Sequence, residues 1–341
     1  MKAAVFTGNH AFQIQDMPVP EPGPEDVLVK VAACGVCGTD VHIYHGDKAS
    51  APVHPPVVLG HEFAGIVQKT GPDVKQLRPG DHVTVDPNIY CGRCAYCRAG
   101  KKQLCTDLFA IGVNRNGGFA EYCLVPESQC YLLNPETDLR FGAMTEPLAC
   151  CIHRMDRVPV RSGDTVCIVG GGAIGLIMLQ LAKLKGAAVT LVSEPVESRR
   201  AAALQLGADC TVDPLHQDLR EEIRRLTGAD GADSVIECAG NPAAVRQSVA
   251  AARPGATVLL FSVPAPASTY ELNLEDIYQK ELTITGSKIN PDTHARAAAL
   301  INQGILRLDP IITHQYPVSQ IQEAIQMQMS NESLKVIVVP E

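Results

Sequence analysis

From about Asp164 the chain alternates short apolar runs with helix-length segments, and that alternation leaves few folds open. Val166–Val169, Val189–Ser193, Cys210–Val212, Ser234–Glu237 and Thr257–Phe261 read as strands. Ala173–Lys185, Ser198–Leu206, Leu219–Leu226 and Pro242–Ala252 read as the intervening helices. Gly186 and Gly207 close the first two, and Asn241 opens the last as N-cap with Pro242 in its first turn. Strands joined by helices run parallel through right-handed crossovers, so an α/β fold with a doubly wound parallel sheet is expected.

The first crossover carries the sharpest motif. Gly170-Gly171-Gly172-Ala173-Ile174-Gly175 follows one strand and opens one helix. Gly170 permits the tight turn, Gly172 lets the backbone approach a pyrophosphate, and Gly175 allows helix to pack on strand. Such a turn alone is weak, but Glu194 stands 24 positions after Gly170, at the end of the second strand. A carboxylate there accepts from both ribose hydroxyls and repels a 2′-phosphate, which points to NAD. Arg199 and Arg200 follow, and their place is the helix face or the adenosine side.

The first 150 or so residues have a different texture. Val27–Val31, Gly65–Val67 and Val83–Val85 are β-branched runs separated by Pro/Gly turns such as Pro79-Gly80-Asp81. Cys91, Cys94, Cys97 and Cys105 form a C-x2-C-x2-C-x7-C run in this half. Four thiolates at that spacing close a tetrahedral shell and leave no position for chemistry, so the expected ion is a structural zinc. A bacterial ferredoxin run ends C-x3-C-P, whereas seven residues precede Cys105 here and Thr106 follows, which favours zinc over an iron–sulfur cluster.

A second set is scattered. Cys37-Gly38-Thr39-Asp40-Val41-His42 packs a soft ligand, a hydroxyl, a carboxylate and an imidazole into six residues. His61-Glu62 opens a strand-like run, and Glu146 is a carboxylate in an apolar segment. A Cys, a His and a carboxylate leave a fourth position open, as catalytic zinc sites do. Each residue also has a bland explanation: His61 satisfied by backbone or solvent, Glu146 capping the helix that follows.

Bulk properties exclude several classes. At 341 residues two domains are expected. The 29 basic and 37 acidic residues give −8, which argues against a nucleic-acid-binding face. Met1 to Asp16 lacks a secretory core, and Val166 to Ala182 reads as strand, turn and helix instead of a membrane span. A cytoplasmic protein without membrane partners is expected, whose thirteen cysteines serve metal ligation or stay as thiols.

Together these motifs resemble the zinc-containing medium-chain dehydrogenases, nearest the sorbitol and threonine dehydrogenase branch. The resemblance spans essentially the whole chain: Cys-Gly-Val-Cys-Gly-Thr-Asp at 34–40, Gly-His-Glu at 60–62, the four-cysteine lobe, Gly-Gly-Phe-Ala-Glu-Tyr at 117–122, Glu-Pro-Leu-Ala at 146–149 and the glycine turn. It implies a β-rich GroES-like catalytic domain at 1–148 and 288–341, with a zinc lobe near 88–108, and a Rossmann domain at 149–287. It further implies two zinc ions per chain, NAD, an alcohol or polyol substrate and a homo-oligomer, dimer or tetramer.

The resemblance also assigns roles. Cys37, His61 and Glu146 surround the catalytic zinc, with Glu62 as an additional or alternating ligand. Thr39 receives the alcohol proton and His42 delivers it to solvent, while Asp40 orients a ligating histidine. Gly170, Gly172, Ala173, Ile174, Gly175, Glu194 and Arg199 hold the dinucleotide. The chain departs from sorbitol enzymes where their Arg-Tyr pair meets the polyol, since Ile289 and Asn290 stand there. Lys288, Asn290, Arg115 and Asn114 are the polar residues expected to grip a substrate instead. A zinc-free quinone reductase or a crystallin-like binding protein would not need Cys37, His61 and Glu146 together. A zinc-ribbon module would not carry the dinucleotide half.

Overall fold

The computed structural model describes residues 1–47, 51–263 and 268–341. The chain divides into two compact units, one of Met1–Ala149 with Ile289–Glu341, the other Cys150–Lys288. Among the described residues no helix is long and apolar enough to cross a membrane.

The second unit carries the parallel sheet. Six strands lie in the order Cys210–Val212, Val189–Ser193, Thr165–Val169, Ala232–Glu237, Ala252–Leu260, Thr283–Gly286, all neighbours parallel. The order steps outward in both directions from Thr165–Val169, so the strand that leads into the glycine turn sits beside the point where the winding reverses. Ligands bind at that place in open α/β sheets. The sequence motif is therefore matched by topology. Cys167, Ile168, Leu191, Val192, Val235 and Ile236 are fully buried, as strands covered on both faces require. Asn241 caps the helix Pro242–Ala251, its Oδ1 accepting from the Ala244 N–H at 2.9 Å. The short helix Leu274–Lys280 lacks a strong apolar period and was not legible in the sequence.

The first unit is built on a seven-stranded sheet. Its central strand Asp26–Gly35 pairs antiparallel with Glu62–Thr70, with Tyr122–Pro126 and with the last strand, Lys335–Val339. The C-terminal segment therefore belongs to this unit. Gly35 faces Glu62 on one side and Ile337 on the other. The strand's end thus delivers Val36 and Cys37 next to the start of two neighbouring strands. Phe63, Phe119, Leu59 and Ile111 fill the core behind that junction.

Candidate functional site

Cys37 lies where the central strand gives way to the helix Gly38–Tyr44. Gly38, Thr39, Val41 and Ile43 are modest helix formers. The turn is instead set by Asp40, whose carboxylate accepts from the Cys37 N–H at 2.8 Å. The second oxygen of Asp40 faces His61 Nδ1 at 3.5 Å, and the two side chains are 0% and 8% exposed. Neither buried atom has a hydrogen bond within normal distance among the described residues. That pairing leaves Nε2 of His61 as its outward nitrogen, the arrangement by which a carboxylate orients a metal-ligating imidazole. Burial disfavours a charged His61, but the Asp40 carboxylate and the Cys37 sulfur outweigh it and hold its pKa well above the ordinary value.

Cys37, His61 and Glu62 bring one donor atom each to within 4.8 Å of one another. A thiolate, an imidazole and a carboxylate fit zinc, and three protein donors leave room for a fourth ligand. Glu146 does not join this group. It sits in the first turn of the helix Thr145–Met155, where free N–H ends favour an acidic side chain, so burial in an apolar segment has that cause available. Glu62 instead has a partner that spacing could not reveal. The buried Lys335 donates to its Oε2 and, at 3.0 Å, to the Val36 carbonyl.

On the helix Gly38–Tyr44, His42 Nδ1 lies 3.1 Å from Asp47 Oδ2, with the imidazole 26% exposed. That contact leaves Nε2 as the other proton-carrying atom. Thr39 is half-buried on the first turn.

The four-cysteine lobe is a separate cluster in the same unit. Cys91, Cys94, Cys97 and Cys105 bring their sulfurs to within 4.8 Å of one another, with Cys91 and Cys97 at 3.9 Å. Sulfurs bound at about 2.3 Å to one tetrahedral ion lie about 3.8 Å apart, so the set fits zinc. Backbone N–H groups of Cys94, Cys97 and Asp107 donate to sulfur at 3.3–3.4 Å. Hydrogen bonds from the Cys97 and Thr106 amides draw the Cys94 thiol down to about 6, whereas burial pushes Cys97 up to about 12.

In the second unit the glycine turn has the shape a pyrophosphate needs. Gly170 has φ +107°, Gly175 would drive any side chain into the Gly170 carbonyl, and nothing lies within 4 Å of where a Gly172 side chain would stand. The turn runs into the N-terminus of the twelve-residue helix Ala173–Leu184, whose first residues are Ala173 and Ile174. Glu194, 4% exposed, accepts from the Gly171 N–H at 2.8 Å and from the Val196 N–H at 2.9 Å. It thus braces the turn as well as presenting a carboxylate. Arg200 donates to the Glu194 and Pro195 carbonyls at 2.8 and 2.7 Å and lies 3.3 Å from Asp213. Arg199 is half-buried beside it. Sequence reasoning missed Glu237, buried at the end of its strand, which accepts from the Ala239 and Gly240 N–H groups at 2.7 and 2.6 Å and fixes the neighbouring loop.

The residues expected to grip a substrate fare unevenly. Asn290 is fully buried and accepts from Asn88 Nδ2 at 2.6 Å, a bond that closes a structural seam. Asn114 is taken up by the Ala110 N–H and the Leu108 carbonyl, and Arg115 lies over the Phe109 ring at 4.7 Å. Lys288 is exposed.

The chain is similar to known proteins along nearly its whole length. The family model of the alcohol dehydrogenase GroES-like domain matches residues 23–135, and that of zinc-binding dehydrogenases matches residues 173–303. The chain is 38% identical over 338 residues to L-threonine 3-dehydrogenase of Symbiobacterium thermophilum, covering 96% of this chain and 94% of that protein. Sorbitol dehydrogenase of Halalkalibacterium halodurans is 35% identical over 348 residues, covering 100% and 99%. A solved structure from Sinorhizobium meliloti 1021, described as a zinc-binding dehydrogenase bound to NADP, superposes with TM-score 0.95 at 43% identity, covering 99% of each chain. The chain is therefore an oxidoreductase of the zinc-dependent medium-chain alcohol and polyol dehydrogenase family.

Proposed function

We propose that this enzyme oxidises a secondary alcohol, best a vicinal polyol or sugar alcohol, to a ketone, with transfer of the hydride to NAD. The donor set Cys37, His61 and Glu62 carries the proposal, because it offers a thiolate, an imidazole and a carboxylate with one position to spare. Zinc held there would polarise the alcohol oxygen as a Lewis acid. Asp40 keeps the His61 ring turned toward the group through Nδ1. The hydroxyl proton leaves through the Thr39 hydroxyl to His42, whose ring is oriented by Asp47 and which is open enough to solvent to pass it on. The carbinol C–H pair goes to the nicotinamide, so alcohol and NAD give ketone, NADH and one proton.

The choice of NAD rests on Glu194, whose buried carboxylate faces the glycine turn and would repel a 2′-phosphate. Arg200, the obvious counter-charge, is held by two carbonyls and Asp213. The relative from Sinorhizobium meliloti is bound to NADP, which makes the preference worth measuring directly.

A substrate panel read by NADH formation tests the reaction. It contains four- to six-carbon polyols, their phosphates, L-threonine, 2,3-butanediol, ethanol and benzyl alcohol. A polyol is expected to exceed the primary alcohols in kcat/KM by a wide margin. Ethanol or benzyl alcohol as best substrate defeats the polyol reading, and L-threonine as best substrate moves the enzyme to the amino-alcohol side of its family.

A further inference from the structure

Lys335 is a cation in an unlikely place. Its side chain is 6% exposed and its partner Glu62 2%, which makes this a wholly enclosed ion pair. Burying an ammonium is costly unless its charge is met and its protons are bonded. Here Nζ donates to Glu62 Oε2 and to the Val36 carbonyl. The pair crosses the end of the central strand, and Gly35 makes the space. A side chain on Gly35 would run into Glu62 Oε2 and lie 3.2 Å from Lys335 Cε. Three residues from three strands thus combine to set one ammonium against one of the three donors of the Cys37, His61, Glu62 group.

We propose that Lys335 is a positioning residue that weakens Glu62 as a zinc donor and so keeps the site open to an incoming hydroxyl. It does so in three ways. It holds one oxygen of the donor carboxylate, Oε2, and it cancels the carboxylate charge that would otherwise add to that of Cys37. An ammonium beside a dication also repels it. All three effects have the same sign: with Lys335 in place zinc is held less tightly, and a ligand is exchanged more readily. A lysine that served the fold alone would have the opposite effect on removal, since a disordered Glu62 would let zinc go faster.

The inference rests on the reading of Cys37, His61 and Glu62 as zinc donors. Its test follows release of zinc from the holoenzyme to an excess of a chromophoric chelator, with kcat measured alongside. Cys37→Ser identifies the phase that belongs to the open site, because that phase disappears. Lys335→Met is expected to slow this phase about tenfold and to lower kcat, while Lys335→Arg restores both. Release at the native rate or faster in a folded Lys335→Met protein overturns the proposal. If Lys335→Met fails to fold, Lys335→Gln, which keeps a donor beside Glu62 without the charge, carries the same comparison with the same outcomes. A native protein that shows no phase sensitive to Cys37→Ser removes the zinc reading of this site and the proposal with it. A normal phase left unchanged by Lys335→Met or Lys335→Gln removes the proposal alone.

Discussion

The two metal-donor clusters of the first unit are built on opposite plans. The four-cysteine lobe draws all its donors from fifteen consecutive positions, 91–105, and its sulfurs are bonded by the local backbone N–H groups of the same loop. The Cys37, His61, Glu62 cluster draws donors from two distant segments and leans on Asp40 and on Lys335, 273 residues from Glu62. The first is closed and chemically uniform; the second is mixed and surrounded by enclosed charge. A loop that only needs an ion to hold it together can be encoded locally. A group that must bind an ion, orient it and leave room needs partners from the fold, and it inherits its properties from them.

The largest effects should separate the two plans. Cys37→Ser is expected to reduce turnover below detection with the unfolding transition close to native, since the surrounding sheet does not depend on that sulfur. Cys94→Ser removes a sulfur that also caps the helix Ala95–Arg98, and loss of a structural zinc removes folding free energy outright, on the order of several kcal/mol. Metal content should fall from two zinc per chain to one in each. Indistinguishable urea unfolding curves for the two variants would erase the contrast.

The proton route sharpens the chemical half of the comparison. His42→Gln is expected to slow alcohol oxidation about a hundredfold, most below neutral pH, with partial rescue by small exogenous bases. The imidazole sits beside Asp47 and is accessible, so an added base can take over its task. An unchanged pH–rate profile would return His42 to the status of a surface histidine.

Legibility in the sequence follows the same division. The parallel sheet was readable because each strand, turn and helix is specified within a few residues, down to Asn241 at its cap. The cysteine lobe was readable for the same reason. The sheet of the first unit was not, because its central strand is paired with segments near 65, 124 and 337, and short β-branched runs do not say which of them meet. Lys335 looks in sequence like an ordinary charge at the start of a strand, and only the fold shows what it touches. Asn290 was expected to grip a substrate from its place in the chain, and its side chain is buried against Asn88. Glu146 is a carboxylate among apolar residues, a signal that a metal donor and a helix N-terminus both produce.

Glu194 is a local feature with a proposed role toward the cofactor, and so it tests how far the division holds. The native enzyme is expected to favour NAD over NADP by tenfold to a few hundredfold in kcat/KM, corresponding to ~1–3 kcal/mol. Glu194→Ala should narrow that ratio while raising KM for both, because the carboxylate also braces the Gly171 N–H. Equal use of NADP by the native enzyme would leave Glu194 only its bracing role.

The smallest effect concerns a third way of burying a polar group. Lys335 and Glu62 are enclosed as charges because they meet each other; His294 is enclosed without a counter-charge and must stay neutral. Its ring packs against Tyr131 at 4.8 Å between centroids and reaches the Thr84 hydroxyl at 3.3 Å. Burial alone draws its pKa from 6.5 to about 3. The unfolded chain therefore takes up a proton below about pH 6.5 that the folded chain refuses until about pH 3. Folding stability is lost as the pH falls through that window, by about 1.4 kcal/mol per pH unit once well below the unfolded value. His294→Gln removes this contribution, so urea unfolding of the variant should show a shallower decline between pH 6 and pH 5, by about 1 kcal/mol. Acid release of zinc is common to both proteins and cancels in the difference. Parallel declines would mean that His294 is protonated within the fold, and that this buried site, like the one at Lys335, tolerates a charge.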